Sequence, residues 1–366
     1  MKCKQFVLIS FLCTFSFFSA LCQSAKNTVP DNRMQQVYQE IKTPFKYGLI
    51  LVPAHDSLKM DCRSVFKKGN DWFMTYVVYD GRGYETWLAK SQDLLQWNIM
   101  GKIMSFSQTG EWDENQKAGS FALQDYEWGG SYSLNRFKNK YWMSYYGGNS
   151  RGYEAGILSI GMAYTTKDPS ELHEWQRLER PVLKPTDPDA RWWENGTMYK
   201  NLVIQDKAKK TGYSFLMYYN AKGDSLHPEK GSERIGMAVS NDMTNWKRYP
   251  REPVLNHHKG ITGNGYIQKM NDLYVMFYFG AFWPGTKGAF NRFACSYDLI
   301  NWTDWKGANL IEPSEPYDDE FAHKSVVMKY KGTVYHFYCA VNKKSQRGIA
   351  LATSVDIGKS KLQFIY

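Results

Sequence analysis

Short hydrophobic segments separated by polar turns follow one another along the chain from about residue 45 to its end. One five-residue, aromatic-rich segment with the character of a β-strand occurs five times, and each copy precedes an Ala-x-Ser/Thr triplet with an Asp soon after it. The central residues of the five copies are Met74, Met143, Met217, Met276 and His336. Two signatures that recur in register predict five copies of one structural unit.

The distances along the chain between these central residues indicate what the unit is. They are 69, 74, 59 and 60 residues, which leaves room in each unit for about four short strands and their turns. Four strands in each unit, with no helical periodicity, predict an all-β fold, a five-bladed β-propeller with four-stranded blades over residues 45–366. Residues 23–44 form an N-terminal extension with a short helix at 33–41. Residues 47–52 predict a strand that closes the ring against the last blade.

The first 22 residues have a different pattern from the rest. Two lysines precede an apolar run from Phe6 to Leu21, and a polar sequence follows. A basic start, an apolar stretch and a polar boundary predict a secretory signal peptide over residues 1–22. We therefore expect export to the periplasm or the extracellular space, with no stable membrane insertion after cleavage. A permanent membrane anchor and lipidation of Cys22 are the alternatives.

The amino-acid composition limits the binding partners and the kinds of site that the chain can have. The aromatic share of 16 % together with 29 Gly is typical of an all-β repeat protein or a carbohydrate binder. Two of the 46 basic residues lie in the signal segment, so 44 remain against 36 acidic ones. The basic residues are scattered along the chain, and we therefore expect no nucleic-acid partner. Cys62, Cys295 and Cys339 have no CxxC spacing, which predicts neither a zinc site nor a disulfide framework.

The innermost strand of each propeller blade lines the central cavity, and the repeat locates the start of that strand. Counting back 13 residues from the central residue of a copy gives Asp61, Gly130, Gly263 and His323. In the third blade, a longer hairpin at 207–212 shifts the matching element to 192–196. The polar residues that we expect to meet in the cavity are Asp61, Glu194, Asn264, His323 and Lys324.

Two carboxyl groups in a cavity with aromatic walls are what glycoside hydrolysis requires, one as proton donor and one as base or nucleophile. Asp61 lies two residues from Arg63 on one face of a strand, and this cation favours the ionised form of a base. Glu194 follows two tryptophans, whose apolar surface favours the protonated form of an acid. Alternatively, both carboxylates only bind backbone amides. Sugars stack on aromatic rings, and the candidates are Trp128, Trp192, Trp193, Phe282 and Trp283.

The residues Asp61-Cys62-Arg63 opening blade one and Glu194-Asn195-Gly196 opening blade three resemble the five-bladed glycosidases of glycoside hydrolase families 43, 32, 117 and 130. The whole mature chain resembles secreted, family-43-like glycosylases of Bacteroidetes most closely. The resemblance implies that Asp61 is the general base, that Glu194 is the general acid and that the reaction inverts the anomeric configuration. It also implies that a Ca²⁺ ion on the propeller axis is compatible with the fold, although the sequence predicts no metal ligands and no other cofactor.

Family 43 places a third carboxylate on blade two in a Trp-Ala-Pro-Asp motif, where this chain has Trp-Gly-Gly-Ser at 128–131. Glu127 is the candidate replacement, and the alternatives are Asp125, Asp80 and Glu154. A Gly-Tyr-Glu tripeptide at 152–154 also repeats one at 83–85. Matching turn chemistry is one interpretation of this repeat, and a contact with substrate is the other.

These patterns together predict an exported glycoside hydrolase that acts on an oligosaccharide or polysaccharide by carboxylate acid–base catalysis. The residues expected to bind the substrate are Arg63, Trp128, Trp192, Trp193, Asn264, Trp283, His323 and Lys324. A glycoside phosphorylase of the family-130 type is one alternative, in which Arg63, His323 and Lys324 bind phosphate. A sugar-binding propeller without catalysis is the other.

Overall fold

The computed structural model describes residues 27–224, 227–229 and 231–365. The predicted signal peptide at 1–22 and the lipidation of Cys22 lie outside these residues. Among the residues described, no helical segment has both the length and the apolar character that a membrane crossing needs.

One helix and twenty strands make up the regular structure of the described residues. The helix, α1 (Asp31–Ile41), lies within the segment predicted as an N-terminal extension, and it buries Met34, Val37 and Ile41. The strands in chain order are β1 (Phe45–Leu51), β2 (Lys59–Lys68), β3 (Asp71–Tyr79), β4 (Tyr84–Ser91), β5 (Asn98–Met104), β6 (Gln116–Phe121), β7 (Tyr141–Gly148), β8 (Ser159–Thr165), β9 (Gln176–Arg177), β10 (Thr197–Gln205), β11 (Phe215–Lys222), β12 (Glu233–Ser240), β13 (Lys247–Arg248), β14 (Ile261–Met270), β15 (Leu273–Ala281), β16 (Ala289–Ser296), β17 (Thr303–Asp304), β18 (Phe321–Tyr330), β19 (Thr333–Val341) and β20 (Arg347–Thr353).

The strands form antiparallel units of four, and the all-β prediction is confirmed. Within the described residues the units are β2–β5, β6–β9, β10–β13, β14–β17, and β18–β20 with β1. In the last unit β1 pairs with β20, and Phe45 lies opposite Thr353. This pairing confirms the prediction that a strand before the first repeat joins the last unit.

The repeated sequence signatures occupy equivalent places in the units. The central residue of every copy lies on the second strand of its unit and is fully buried. On the third strand it pairs with the Ala of the triplet, and the five pairs are Met74–Ala89, Met143–Ala163, Met217–Ala238, Met276–Ala294 and His336–Ala352. A small residue opposite each large one lets adjacent units pack closely. The prediction that these five residues lie on equivalent strands is confirmed.

The Asp that follows each triplet belongs to a turn. Asp93 Oδ1 accepts hydrogen bonds from the backbone N–H groups of Leu95 (2.9 Å) and Gln96 (2.8 Å). Ser91 Oγ accepts one from Leu94, a buried residue with a φ of 68°. The same arrangement occurs at Ser240–Asp242–Met243 and at Ser296–Asp298–Leu299. This part of the repeat therefore stabilises the fold through local side-chain hydrogen bonds.

The first strands of four units contain a β-bulge near their start. The register shifts occur after Cys62, Tyr199, Gly263 and His323. In the last three of these strands the next residue has a positive φ, namely Lys200 (47°), Asn264 (56°) and Lys324 (61°). Bulges re-aim side chains at the ends of strands, and two of these three residues, Lys200 and Lys324, line the central cavity.

Two expected inner-strand positions differ from those in the structure. In the second unit the inner strand is β6, and residues 128–131 lie in turns of a segment inserted between β6 and β7. In the third unit the inner strand is β10, so that residues 192–196 precede it. The insertions lengthen both hairpins, and a fixed count of residues back from the second strand therefore misses the inner strand.

Candidate active site

A cavity of about 200 Å³ lies where the inner strands start and where the third strands start. Charged and aromatic side chains make up most of its wall, which is formed by Tyr153, Glu154, Lys200, Glu233, Ile261, Phe279, Ala281, Phe282, Ala289, Phe321, His323, Lys324 and Arg347. Two carboxyl groups, Glu154 and Glu233, are therefore available to a molecule in this cavity.

Lys200 forms an ion pair with both carboxyl groups. Its Nζ lies 3.4 Å from Glu154 Oε2 and 3.6 Å from Glu233 Oε2, so these two oxygens are at most 7.0 Å apart, the sum of the two distances. The Lys200 side chain is only 4 % exposed, and Asn220 Nδ2 donates a hydrogen bond to Glu233 Oε2 at 3.2 Å. Buried partners of this kind fix the orientation of both carboxylates.

Glu154 lies close to a second ammonium group. Lys324 Nζ is 3.6 Å from Glu154 Oε1. Burial alone raises the pKa of a carboxyl group, but Lys200 and Lys324 outweigh it and hold the pKa of Glu154 below its ordinary value. Glu154 is therefore ionised at neutral pH.

Asp61 lies behind two cationic residues of the cavity wall, Lys324 and Arg347. Lys324 Nζ lies 2.5 Å from Asp61 Oδ2, Arg347 Nη1 is 3.5 Å from each carboxylate oxygen, and the Cys339 thiol donates to Oδ1 at 2.7 Å. Burial opposes ionisation, but Lys324 and Arg347 hold the pKa of Asp61 well below its usual range. Asp61 is 1 % exposed and is absent from the wall that the described residues form.

Arg347 and His323 are two further side chains of the cavity wall. Arg347 donates a hydrogen bond to the hydroxyl of Tyr153 and lies 4.9 Å from the centre of its ring. Burial, with Lys324 and Arg347 nearby, holds the pKa of His323 well below its ordinary value, so the imidazole is neutral. Its Nδ1 lies 3.2 Å from the Cys339 carbonyl oxygen, which assigns the ring proton to Nδ1 and leaves Nε2 as an acceptor.

Glu194, the expected general acid, lies outside this cavity. It is fully buried, with Arg191 Nε at 2.5 Å and Arg248 Nε at 2.9 Å from Oε1. The Tyr219 hydroxyl donates to Oε2 at 2.6 Å. The expected role of general acid requires access to substrate, which this fully buried carboxyl group does not have. The flanking Trp193 is 1 % exposed and is a neighbour of Arg191 rather than an apolar cover for Glu194.

The other expected site residues divide into two groups. His323 and Lys324 line the cavity. Arg63 is directed to the Asn264 side chain (3.2 Å) and the Asn201 carbonyl (3.3 Å) instead of Asp61. Among the described residues, neither Arg63 nor Asn264 belongs to the cavity wall.

Four more expected residues lie away from the wall that the described residues form. Glu127 pairs with Lys269 at 2.8 Å, and the Trp128 indole N–H donates to Glu40 of α1. Trp192 is 38 % exposed and stacks on His227. The Trp283 indole N–H donates to the Ile261 carbonyl at 2.8 Å.

Sequence reasoning did not place Lys200, Glu233 or Arg347 in the site, and it included Glu154 only as an alternative third carboxylate. Two features of the sequence mark some of these residues. Glu154 and Tyr153 belong to the repeated Gly-Tyr-Glu tripeptide, and their place in the cavity wall favours the interpretation as a substrate contact. The other feature is a fixed offset, since Glu233, Ala289 and Arg347 all stand five residues before the Ala of a triplet and all line the cavity.

One group of side chains in the described residues has the donor atoms of a metal site. Ligand atoms of Asp61, His323 and Cys339 lie within 4.8 Å of one another. The group does not fit Ca²⁺, which takes six to eight oxygen ligands, and Lys324 and Arg347 already neutralise Asp61. Metal-independent chemistry stays a prediction.

No protein-family model matches the chain, and no curated protein matches it. Solved structures do match. One, named as a BT0996 RGII complex, is 53 % identical, with a TM-score of 0.89, and the match covers 92 % of this chain and 99 % of that one. One named "Glycoside hydrolase" is 52 % identical, also with a TM-score of 0.89, over 93 % and 99 % of the two chains.

A thermostable family-43 glycoside hydrolase shares the fold at 15 % identity, with a TM-score of 0.57 over 86 % of this chain and 96 % of that one. A family-117 glycoside hydrolase from Zobellia galactanivorans does so at 14 % identity, with a TM-score of 0.63 over 87 % and 93 %. Identity above one half over almost the full length of the first two structures shows the family. The chain belongs to the β-propeller glycoside hydrolase superfamily and is a glycosidase.

Proposed function

We propose that this protein is an exported glycosidase that removes the terminal sugar from an oligosaccharide of RGII. The observation that carries the proposal is the pair Glu154 and Glu233, held by one lysine in the wall of a small cavity. The oligosaccharide class is supported by the 53 % identity to the protein named as an RGII complex. Export is supported by the signal-peptide pattern of residues 1–22.

The scaffold that we propose is a five-bladed propeller with four-stranded blades. Five antiparallel units within the described residues support it, as do parallel contacts between neighbouring units at Glu233–Ile261, Ala289–Phe321 and Lys59–Arg347. The pairing of β1 with β20 supports closure of the ring, since it completes the last unit with a strand from the start of the chain.

Removal of a terminal sugar is supported by the size of the cavity. Its volume of about 200 Å³ is smaller than the ~300–1,000 Å³ of pockets for drug-sized ligands, and it suits a single sugar ring. The buried cluster of Asp61, Lys324 and Arg347 lies behind part of its wall. An oligosaccharide therefore enters by its end, and the next sugar stays at the mouth.

Glu154 and Glu233 divide the catalytic work in this proposal. Two ammonium groups keep Glu154 ionised, so it accepts a proton from the attacking water. Glu233 donates its proton to the glycosidic oxygen as the bond to the anomeric carbon breaks. Attack of water from the opposite face inverts the anomeric configuration. Inversion is the outcome that the family-43 resemblance implies.

The mature protein is expected to release one monosaccharide from an RGII oligosaccharide, at a rate that does not depend on added phosphate. Proton NMR during the reaction identifies the released sugar and the anomer that forms first, which we expect to be the inverted one. Internal fragments would contradict removal of a terminal sugar. Sugar phosphate formed only when phosphate is present would indicate phosphorolysis instead. Release of no sugar would contradict the substrate class.

Replacement of Glu194 by Gln is expected to lower stability while the folded enzyme keeps its kcat/KM. The change leaves the buried Arg248 and the half-buried Arg191 beside a neutral amide, and breaking a buried ion pair costs about 3–5 kcal/mol. Denaturant unfolding and kinetics on the same preparation measure both quantities. Glu127→Gln is the control, because its ion pair with Lys269 is exposed and is worth about 0–1 kcal/mol. A Glu194→Gln variant that is as stable as wild type but inactive would restore the role of general acid to Glu194.

A further inference from the structure

Phe282 stands at the mouth of the cavity in an unusual conformation. It lines the cavity, yet 64 % of the residue is exposed, more than for any other large hydrophobic residue in the described part of the chain. Its φ is 57°, in the left-handed region that bulky side chains rarely occupy. The ring makes an edge-to-face contact with Phe321, with 5.9 Å between the ring centroids. Because most of Phe282 stays exposed, burial gains little, and this contact alone does not explain why the backbone conformation carries a phenylalanine rather than glycine or asparagine.

The segment that carries Phe282 is anchored on both sides. The next residue, Trp283, is 7 % exposed and is hydrogen-bonded to Ile261, and Thr286 binds the Trp283 carbonyl through its N–H and its hydroxyl. On the other side Gly260 packs directly against the backbone, since a Cβ there would lie 2.7 Å from the Phe282 carbonyl oxygen. The ring is therefore held in solvent by a well-ordered turn, rather than exposed by fraying of a loop.

We propose that Phe282 is a stacking platform for the second sugar of the substrate, the ring on the leaving-group side of the bond that is cleaved. This inference rests on the proposed removal of a terminal sugar. The cavity has the volume of a single sugar ring, and Glu154 and Glu233 lie in its wall, so in this proposal the next ring is at the mouth beside Phe282. The apolar C–H face of a sugar pairs with an aromatic face, and a ring held in place in advance loses little conformational entropy on binding.

The test compares variants that the backbone tolerates. Phe282→Gly and Phe282→Asn remove the ring and suit a positive φ, whereas Phe282→Tyr keeps the ring. On an RGII oligosaccharide we expect kcat/KM to fall about tenfold for Gly and Asn and to stay within about twofold of wild type for Tyr. The inhibition constant of the released monosaccharide should change much less than kcat/KM does, because Phe282 contributes to the cavity wall only at its exposed mouth. The Tm of Phe282→Gly should equal or exceed that of wild type, because the strain is relieved.

Each of the other possible results contradicts a particular part of the proposal. Equal kcat/KM for wild type and Phe282→Gly on the oligosaccharide overturns the platform while the glycosidase proposal stands. Equal weakening of monosaccharide inhibition and oligosaccharide cleavage places Phe282 in the cavity site and also overturns it. A lower Tm for Phe282→Gly assigns the ring a structural role. If wild type releases no sugar from the oligosaccharide, the substrate proposal fails, and this inference fails with it.

Discussion

Glu233→Gln should reduce kcat/KM on an oligosaccharide by about 10²- to 10⁴-fold, the range over which general acid catalysis contributes, and should affect an activated aryl glycoside far less. A good leaving group departs without protonation, so the loss of the proton donor matters only when the leaving group is poor. Glu154→Gln should reduce kcat/KM on both substrates by similar factors, because the attacking water needs the general base whichever group leaves. Steady-state kinetics on the two substrates separate the two roles.

Glu85→Gln is the matched control for this pair. Glu85 belongs to the other copy of the Gly-Tyr-Glu tripeptide and is 2 % exposed, but it pairs with Lys102 and lies outside the cavity wall of the described residues. Its variant should keep the wild-type kcat/KM on both substrates. Equal losses on both substrates for Glu233→Gln would contradict its role as acid. Full activity of Glu154→Gln would contradict the catalytic pair as a whole.

Asp61→Asn is expected to lower the free energy of unfolding by about 3–5 kcal/mol at neutral pH and to remove most of the activity. The change leaves Lys324 and Arg347 buried without their carboxylate, and both line the cavity, so the loss of charge also displaces groups that face the substrate. Asp61 is in this interpretation a positioning residue, since it does not itself reach the cavity.

The stability effect of Asp61 should depend on pH in a defined direction. The pKa of Asp61 is lowered in the folded protein, whereas an unfolded Asp has a pKa of about 3.9. Its contribution is therefore fully present above the unfolded value and is lost as the pH falls toward the folded value. Denaturant unfolding should show the full gap between wild type and variant at pH 7 and a gap that narrows below about pH 4.

Asp318→Asn provides the comparison for Asp61. Asp318 is also fully buried and lies 2.5 Å from a lysine, Lys46, but outside the cavity wall of the described residues. Its variant should lose stability and keep its kcat/KM once folded, whereas Asp61→Asn should lose both. A folded Asp61→Asn enzyme with kcat/KM within about twofold of wild type would remove Asp61 from the site.

The repeat located Asp61 and His323 because three hairpins have the same length. Only two residues separate β2 from β3, β14 from β15 and β18 from β19, and each first strand has its bulge in the same place. Counting back from the second strand therefore reaches equivalent positions. Residues 122–140 separate β6 from β7, and residues 206–214 separate β10 from β11. In those units the same count ended in the wrong segment.

The positions of Glu154 and Glu233 explain why the inner-strand positions alone did not predict the carboxyl pair of the site. Glu154 lies in the loop before β8, and Glu233 is the first residue of β12, a third strand. The hairpins between second and third strands open on the same end of the molecule as the starts of the first strands, so both contribute to one cavity. The ion-pair partners of the site residues are brought together only by the fold, since Lys324 is 263 residues from Asp61 along the chain.

The pairing of β1 with β20 determines when the molecule can be completed during biosynthesis. Phe45 meets Thr353, 308 residues later, so the first strand to be made waits for nearly the whole chain before its partner exists. Until then, β1 and the last unit present unpaired edges, which are templates for association with other chains. Contacts this distant in sequence form late and slowly. The two strand edges that complete the last sheet therefore meet for the first time only when nearly all of the chain has been made.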